Sequence, residues 1–100
     1  MSTITITTSK GAKKTVTIGD NAINSASFGD LFSSIDSYLA KFNVTLTRGD
    51  DSQETDIDAI KGETIAQGSR VEFTLKGGEA LAEIKANRII EALEAKIKEF

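Results

Sequence analysis

Three groups of residues in this chain are of types that could do chemistry. The first is an acidic run, Asp50, Asp51, Glu54, Asp56 and Asp58. Closely spaced carboxylates can hold calcium or divide general acid and base work between them. An EF-hand loop needs a glycine at its sixth position and a spaced bidentate glutamate, and the run has neither. It reads as a solvated acidic loop, and no metal site is expected. The second group, Lys10, Lys13 and Lys14, could touch a phosphate but reads more simply as a solvated hairpin tip. The third is Gly77-Gly78, a backbone pair free of Cβ atoms that can serve as a joint between elements.

What the chain lacks narrows the chemistry further. It has no histidine and no cysteine. The serines and threonines therefore have no imidazole to activate them, and thiolate metal sites and disulfides are excluded. No catalytic residue, cofactor or enzymatic activity is expected. A net charge of −3 over 100 residues argues against nucleic acid, whose phosphates need clustered Lys and Arg. The N-terminal Met-Ser-Thr-Ile-Thr-Ile is no signal peptide, and no apolar run is long enough to span a membrane. A cytoplasmic location is expected, in a cell or a virus-infected cell. Binding of other proteins is the function class left.

The elements that must position any binding surface follow from periodicity. Thr3–Thr8 and Thr15–Ile18 alternate β-branched residues, with Ile4, Ile6, Val16 and Ile18 on one face and threonines on the other. Residues 9–14 make the connection. From Ser27 the period changes: Phe28, Leu31, Phe32, Ile35, Leu39 and Phe42 recur at three and four residues, the apolar stripe of one helix. Ser27 is its expected N-cap, with Asp30 in the first turn, and Asn43 its expected terminator. Val44 and Leu46 return to alternation, and Arg48–Ser52 is a turn. Residues 53–60 read either as a short strand or as a loop pinned by Ile57 and Ile60. Ile65 is an anchor. Arg70–Leu75 is a clean strand with Val71, Phe73 and Leu75 inward.

Hairpin, helix, strand, anchored irregular segment and last strand form an order that resembles the ubiquitin-like β-grasp superfamily. Residues 1–78 carry the resemblance, through Thr3–Thr8, Thr15–Ile18, Phe28–Phe42 and the run from Gly62 to Phe73. The sulfur-carrier branch of molybdopterin and thiamine synthesis is the nearest in character. The resemblance implies an α+β fold: a mixed sheet of about four strands with its first and last strands parallel at the centre, and one helix packed across a face. It also places Gly77-Gly78 where the family carries its diglycine, whose terminal carboxylate is activated by adenylation. Here further residues follow Gly78, so the pair is a candidate hinge. It is a candidate processing site if a protease cuts after it, and an activating enzyme would then be a partner.

Residues 79–100 read as an appended amphipathic helix, free of helix breakers and about 33 Å long. Ala86, Ile90, Leu93, Ile97 and Phe100 fall at spacings of four, three, four and three, and Ile89 widens the seam. The sheet's second face should show Thr3, Thr5, Thr7, Thr15, Thr17, Thr45, Thr47, Glu72 and Thr74, a poor hydrophobic dock. Burial of four large seam side chains would be worth about 6–10 kcal/mol before association costs. The seam is therefore expected to pack against another chain, by self-association or docking to a protein partner, with folding back over its own sheet as the alternative. The functional expectation is a non-enzymatic interaction module or assembly component, with 1–78 as the head and 79–100 as the docking element. A modifier precursor and a structural component of a virion or particle are the other two readings.

Overall fold

The computed structural model describes residues 2–7, 13–76 and 83–100. The threonine-rich segments form an antiparallel pair, β1 (Ser2–Thr7) and β2 (Lys13–Ile18), with Ile4 opposite Val16. β2 starts before Thr15, so Lys13 and Lys14 belong to the strand.

The expected single helix over Ser27–Phe42 is divided into α1 (Phe28–Phe32), a 3₁₀ turn (Ser33–Ile35) and α2 (Asp36–Leu39). Its start is as expected. The Asp30 N–H donates to Ser27 Oγ at 3.1 Å, and the Ser27 N–H reaches Asp30 Oδ2 at 3.4 Å. This reciprocal pair satisfies two of the donors that a helix N-terminus leaves open. Its end is not as expected. Ala40 closes α2, while Phe42 and Asn43 already lie in β3 (Phe42–Thr47). Phe42 satisfies both the helical spacing from Leu39 and the strand alternation with Val44 and Leu46, and the sheet claims it.

The ambiguous segment resolves into β4 (Gln53–Glu54) and a short helix, α3 (Ile57–Gly62), capped by Asp56. β5 (Arg70–Leu75) follows. The sheet is mixed and five-stranded, in the order β2-β1-β5-β3-β4. Its strand count exceeds the expected four because of β4. β1 and β5 are parallel neighbours at the centre, with Ile4 opposite Val71. Buried Ser2 and Ser69 both donate to the Ala66 carbonyl at 2.8 Å, which ties the first strand to the turn before the last.

Helices cover one face of the sheet. On that face Phe28, Phe32, Phe73 and Phe42 form a chain of tilted rings 5.5–5.8 Å apart, which links α1 through β5 to β3. The last helix, α4 (Glu83–Lys98), packs on this same face, against β2, α1 and the 3₁₀ turn. Ala86, Ile89 and Leu93 are fully buried and Ile97 is 9% exposed, while Ile90 and Phe100 pack partly buried at the margin. The expectation that this seam lacks a home in its own domain is thereby corrected. The reason is width. Five strands span roughly 19 Å, whereas a helix with its side chains is about 10–12 Å across. The α1–α2 segment shields one side of the sheet, and Val16 and Ile18 on β2 need a second helix. α4 thus completes the core it shares with the sheet and α1. The expected helical residues 79–82 lie outside the described residues.

Candidate interaction surfaces

Of the six residues assigned to a docking helix, four are turned inward and Ile90 and Phe100 lie partly buried at the margin. Ala86, Ile89, Leu93 and Ile97 meet the side chains of the core, and the helix is held at its far end by a hydrogen bond from the Asn21 side-chain amide to the Phe100 carbonyl. Its outward face shows Ile84, which is 68% exposed. Gly77 and Gly78, the candidate hinge or processing site, lie outside the described residues.

The acidic run does not converge into a metal-holding group among the described residues. Asp50 Oδ1 accepts from the Ser52 hydroxyl at 2.6 Å and from the Ser52 N–H at 3.0 Å. These two bonds, helped by Arg48, hold the Asp50 carboxyl below the usual carboxylate range. Asp51, in a left-handed conformation (φ 68°), pairs with Arg70 at 2.9 Å. Glu54 Oε2 accepts from the N–H groups of Thr55 and Asp56, and Asp56 accepts from the Asp58 N–H at the start of α3.

Sequence periodicity gave no sign of a fork between Arg48 and Glu63. Arg48 Nε donates to Glu63 Oε1 at 2.9 Å and Nη2 to Glu63 Oε2 at 2.5 Å, the bidentate geometry that suits guanidinium and carboxylate. Its bond to Glu63, ahead of the opposing effect of desolvation, raises the Arg48 pKa. The fork joins the end of β3 to the segment after α3. That segment is itself stitched to the 24–28 region by Asn24 N–H to Ile65 carbonyl, Ile65 N–H to Ala26 carbonyl and Phe28 N–H to Glu63 carbonyl. The pair holds the frame, with both Glu63 oxygens engaged by Arg48.

Two exposed features stand out among the described residues. One is the outer face of the sheet. Strand register places Thr17, Thr3, Arg70, Thr47 and Gln53 in one row across all five strands, and Thr15, Thr5, Glu72 and Thr45 in the next. The face is a hydroxyl array with one basic and one acidic side chain on its central strand. Thr5 and Thr15 bring their hydroxyls to 3.4 Å across the β1–β2 pair. The other surface is a cleft of about 260 Å³ between α2, α3 and the first residue of β3. Leu39, Ala40, Phe42 and Ile57 supply its apolar wall, and Asp36, Lys61 and Lys76 its polar rim. Lys61 is anchored to Asp36 at 3.0 Å.

The chain matches no protein-family model, no curated protein and no solved structure.

Proposed function

We propose that this chain is a non-enzymatic, ubiquitin-like β-grasp module that works by binding other proteins. The observation that carries the reading is the sheet order β2-β1-β5-β3-β4, with the first and last strands parallel at its centre and the helical layer confined to one face. The parallel central pair and the one-sided helical layer are the features of this arrangement that the resemblance implies. It leaves the opposite face and the α2–α3 cleft exposed on a rigid frame, and rigid frames with solvated surfaces suit recognition.

The C-terminal helix enters this reading as part of the frame rather than as a docking element, because its apolar seam is already covered. Its packing also weighs against the modifier-precursor reading. Cleavage after Gly78 would sever α4 from the chain whose core it closes, and its departure would expose Val16, Ile18 and Leu31. The test is an affinity pull-down from the native source with the full chain as bait, combined with intact-mass analysis of the bait. A protein retained in stoichiometric amount by an uncut chain supports the module. A bait that ends at Gly78 supports the precursor instead, and a chain that retains nothing sinks the binding reading.

A further inference from the structure

The two edges of the sheet are unlike, and the difference carries an inference that goes beyond the surfaces above and does not depend on them. β4 closes one edge with two residues, short enough to blunt it. β2 closes the other with six residues, paired to β1 without a bulge from Lys13 to Ile18, and the chain has no proline to interrupt it. Which of its groups point outward follows from β1. The Thr3 N–H donates to the Ser69 carbonyl at 3.0 Å, so Thr3 and Thr5 address β5 while Ile4 and Ile6 address β2. Lys14, Val16 and Ile18, opposite Ile6, Ile4 and Ser2, are then the hydrogen-bonded partners of β1. Lys13, Thr15 and Thr17 turn their N–H and C=O groups to the open side. All three residues are exposed, and no described residue outside the strand pair hydrogen-bonds to their main chain.

This edge is complementary to itself. When two copies pair antiparallel, outward groups must meet outward groups. A twofold axis through Thr15 achieves this along the whole strand, with Thr15 opposite Thr15 and Lys13 opposite Thr17. No lysine then faces a lysine. On the helical side of the sheet, Lys14 comes opposite Val16 of the second copy, beneath that copy's α4. The flank of α4 that overhangs β2 follows from its other flank. Ser34 Oγ donates to the Ala92 carbonyl at 3.5 Å, which marks the side turned to the 3₁₀ turn. At about 100° per residue, Ile90 and Glu94 fall on the side away from Ala92. Ile90 is half-buried there and Glu94 is exposed. Lys14 of one copy thus meets Glu94 of the other, and Ile90 gains the cover that its own fold leaves incomplete.

We propose that the chain forms a symmetric dimer through β2, which joins two five-stranded sheets into one continuous sheet and sets the two α4 helices antiparallel. The main chains of Lys13, Thr15 and Thr17 supply the strand hydrogen bonds, and Lys14 and Glu94 pair across the axis. Register and charge select a second copy over an unrelated strand, because this one edge supplies both the basic residue and the acidic residue that meets it.

Sedimentation velocity of the full chain, at concentrations up to about 1 mM, tests this. The expected result is a concentration-dependent dimer whose Thr15 and Thr17 amides exchange more slowly as it forms. Thr15→Lys sets like charges against each other on the axis, at an exposed position. It should weaken association at least about tenfold while circular dichroism shows the fold retained. Lys14→Glu and Glu94→Lys should each weaken the dimer, and the two together should restore it. Thr15→Cys places a thiol opposite its own copy in a chain that has no cysteine. It should oxidise to a covalent dimer at least about tenfold faster than Thr74→Cys, which is exposed on β5. The rise of the urea midpoint with concentration that a dimer brings should persist in Leu93→Ala and vanish in Thr15→Lys. A chain that stays monomeric at the highest concentration overturns the proposal, as does a dimer that survives Thr15→Lys or is not restored by the charge exchange. None of these outcomes bears on the binding of other proteins, which the pull-down tests separately.

Discussion

Replacing Leu93 with alanine tests whether the last helix belongs to the core. Leu93 is fully buried on the helix that packs against β2, α1 and the 3₁₀ turn. Truncation of a fully buried leucine costs about 2–5 kcal/mol, the spread depending on how far the cavity can collapse. The neighbouring Ala86 and Ile89 are held between helix and sheet, which limits collapse, so we expect about 3 kcal/mol. A domain of this size has about 5–15 kcal/mol of stability in total. At about 4–8 °C per kcal/mol, the thermal midpoint should fall by about 12–24 °C. Ile84→Ala, on the exposed face of the same helix, is the matched control and should stay within about 0.5 kcal/mol of the parent. Urea titrations followed by circular dichroism, at two protein concentrations, would measure both. If Leu93→Ala cost under about 1 kcal/mol, the intramolecular packing would be refuted. A parent midpoint that rose with protein concentration, an increase abolished by the substitution, would place the seam between chains instead.

Other substitutions probe the frame. Ser27→Ala removes the acceptor of the α1 cap and should cost about 1 kcal/mol, read from the shift in urea midpoint. A Cβ at Gly29 would sit 2.9 Å from the Lys61 carbonyl oxygen, so Gly29→Ala should destabilise by about 1–3 kcal/mol. Gly62, where a Cβ would meet nothing within 4 Å, should gain about 0.4–1 kcal/mol on replacement by alanine. The folded state lowers the pKa of Asp50, so its contribution to stability is complete above the ordinary aspartate range. It is lost as pH falls through the lower folded value. Asp50→Asn should therefore flatten the acid limb of stability against pH, and an NMR titration of the Asp50 carboxyl carbon should show the low midpoint directly.

Strong local periodicity made much of the fold legible. Alternation of Ile and Thr placed β1 and β2, and Ser27 with Asp30 placed the start of α1, because each signal lies within a few residues. Phe42 fitted two periodicities at once, and only pairing with Leu75 settles it in the sheet. β4, of two residues, is too short to have a period at all. The seam of α4 was visible, but its destination depends on the width of the sheet, which no single segment encodes. The Arg48–Glu63 fork joins residues with no shared pattern. Of the candidate site residues, Ala86, Ile89, Leu93 and Ile97 lie in the core rather than on a docking face, and the cleft has no signature in the linear pattern.

The placement of α4 has a consequence for biosynthesis. The central β1–β5 pair joins Thr3–Ile6 to residues more than sixty positions later, and the groups that seal β2 follow later still, between Ala86 and Ile97. A growing chain on the ribosome can form the β1–β2 hairpin early, yet cannot shut water out of that hairpin's oily side until nearly all of this segment has emerged. Folding is thus tied to the end of translation of these residues. Throughout elongation Val16 and Ile18 stay uncovered, a stretch in which a nascent-chain chaperone would find its footing.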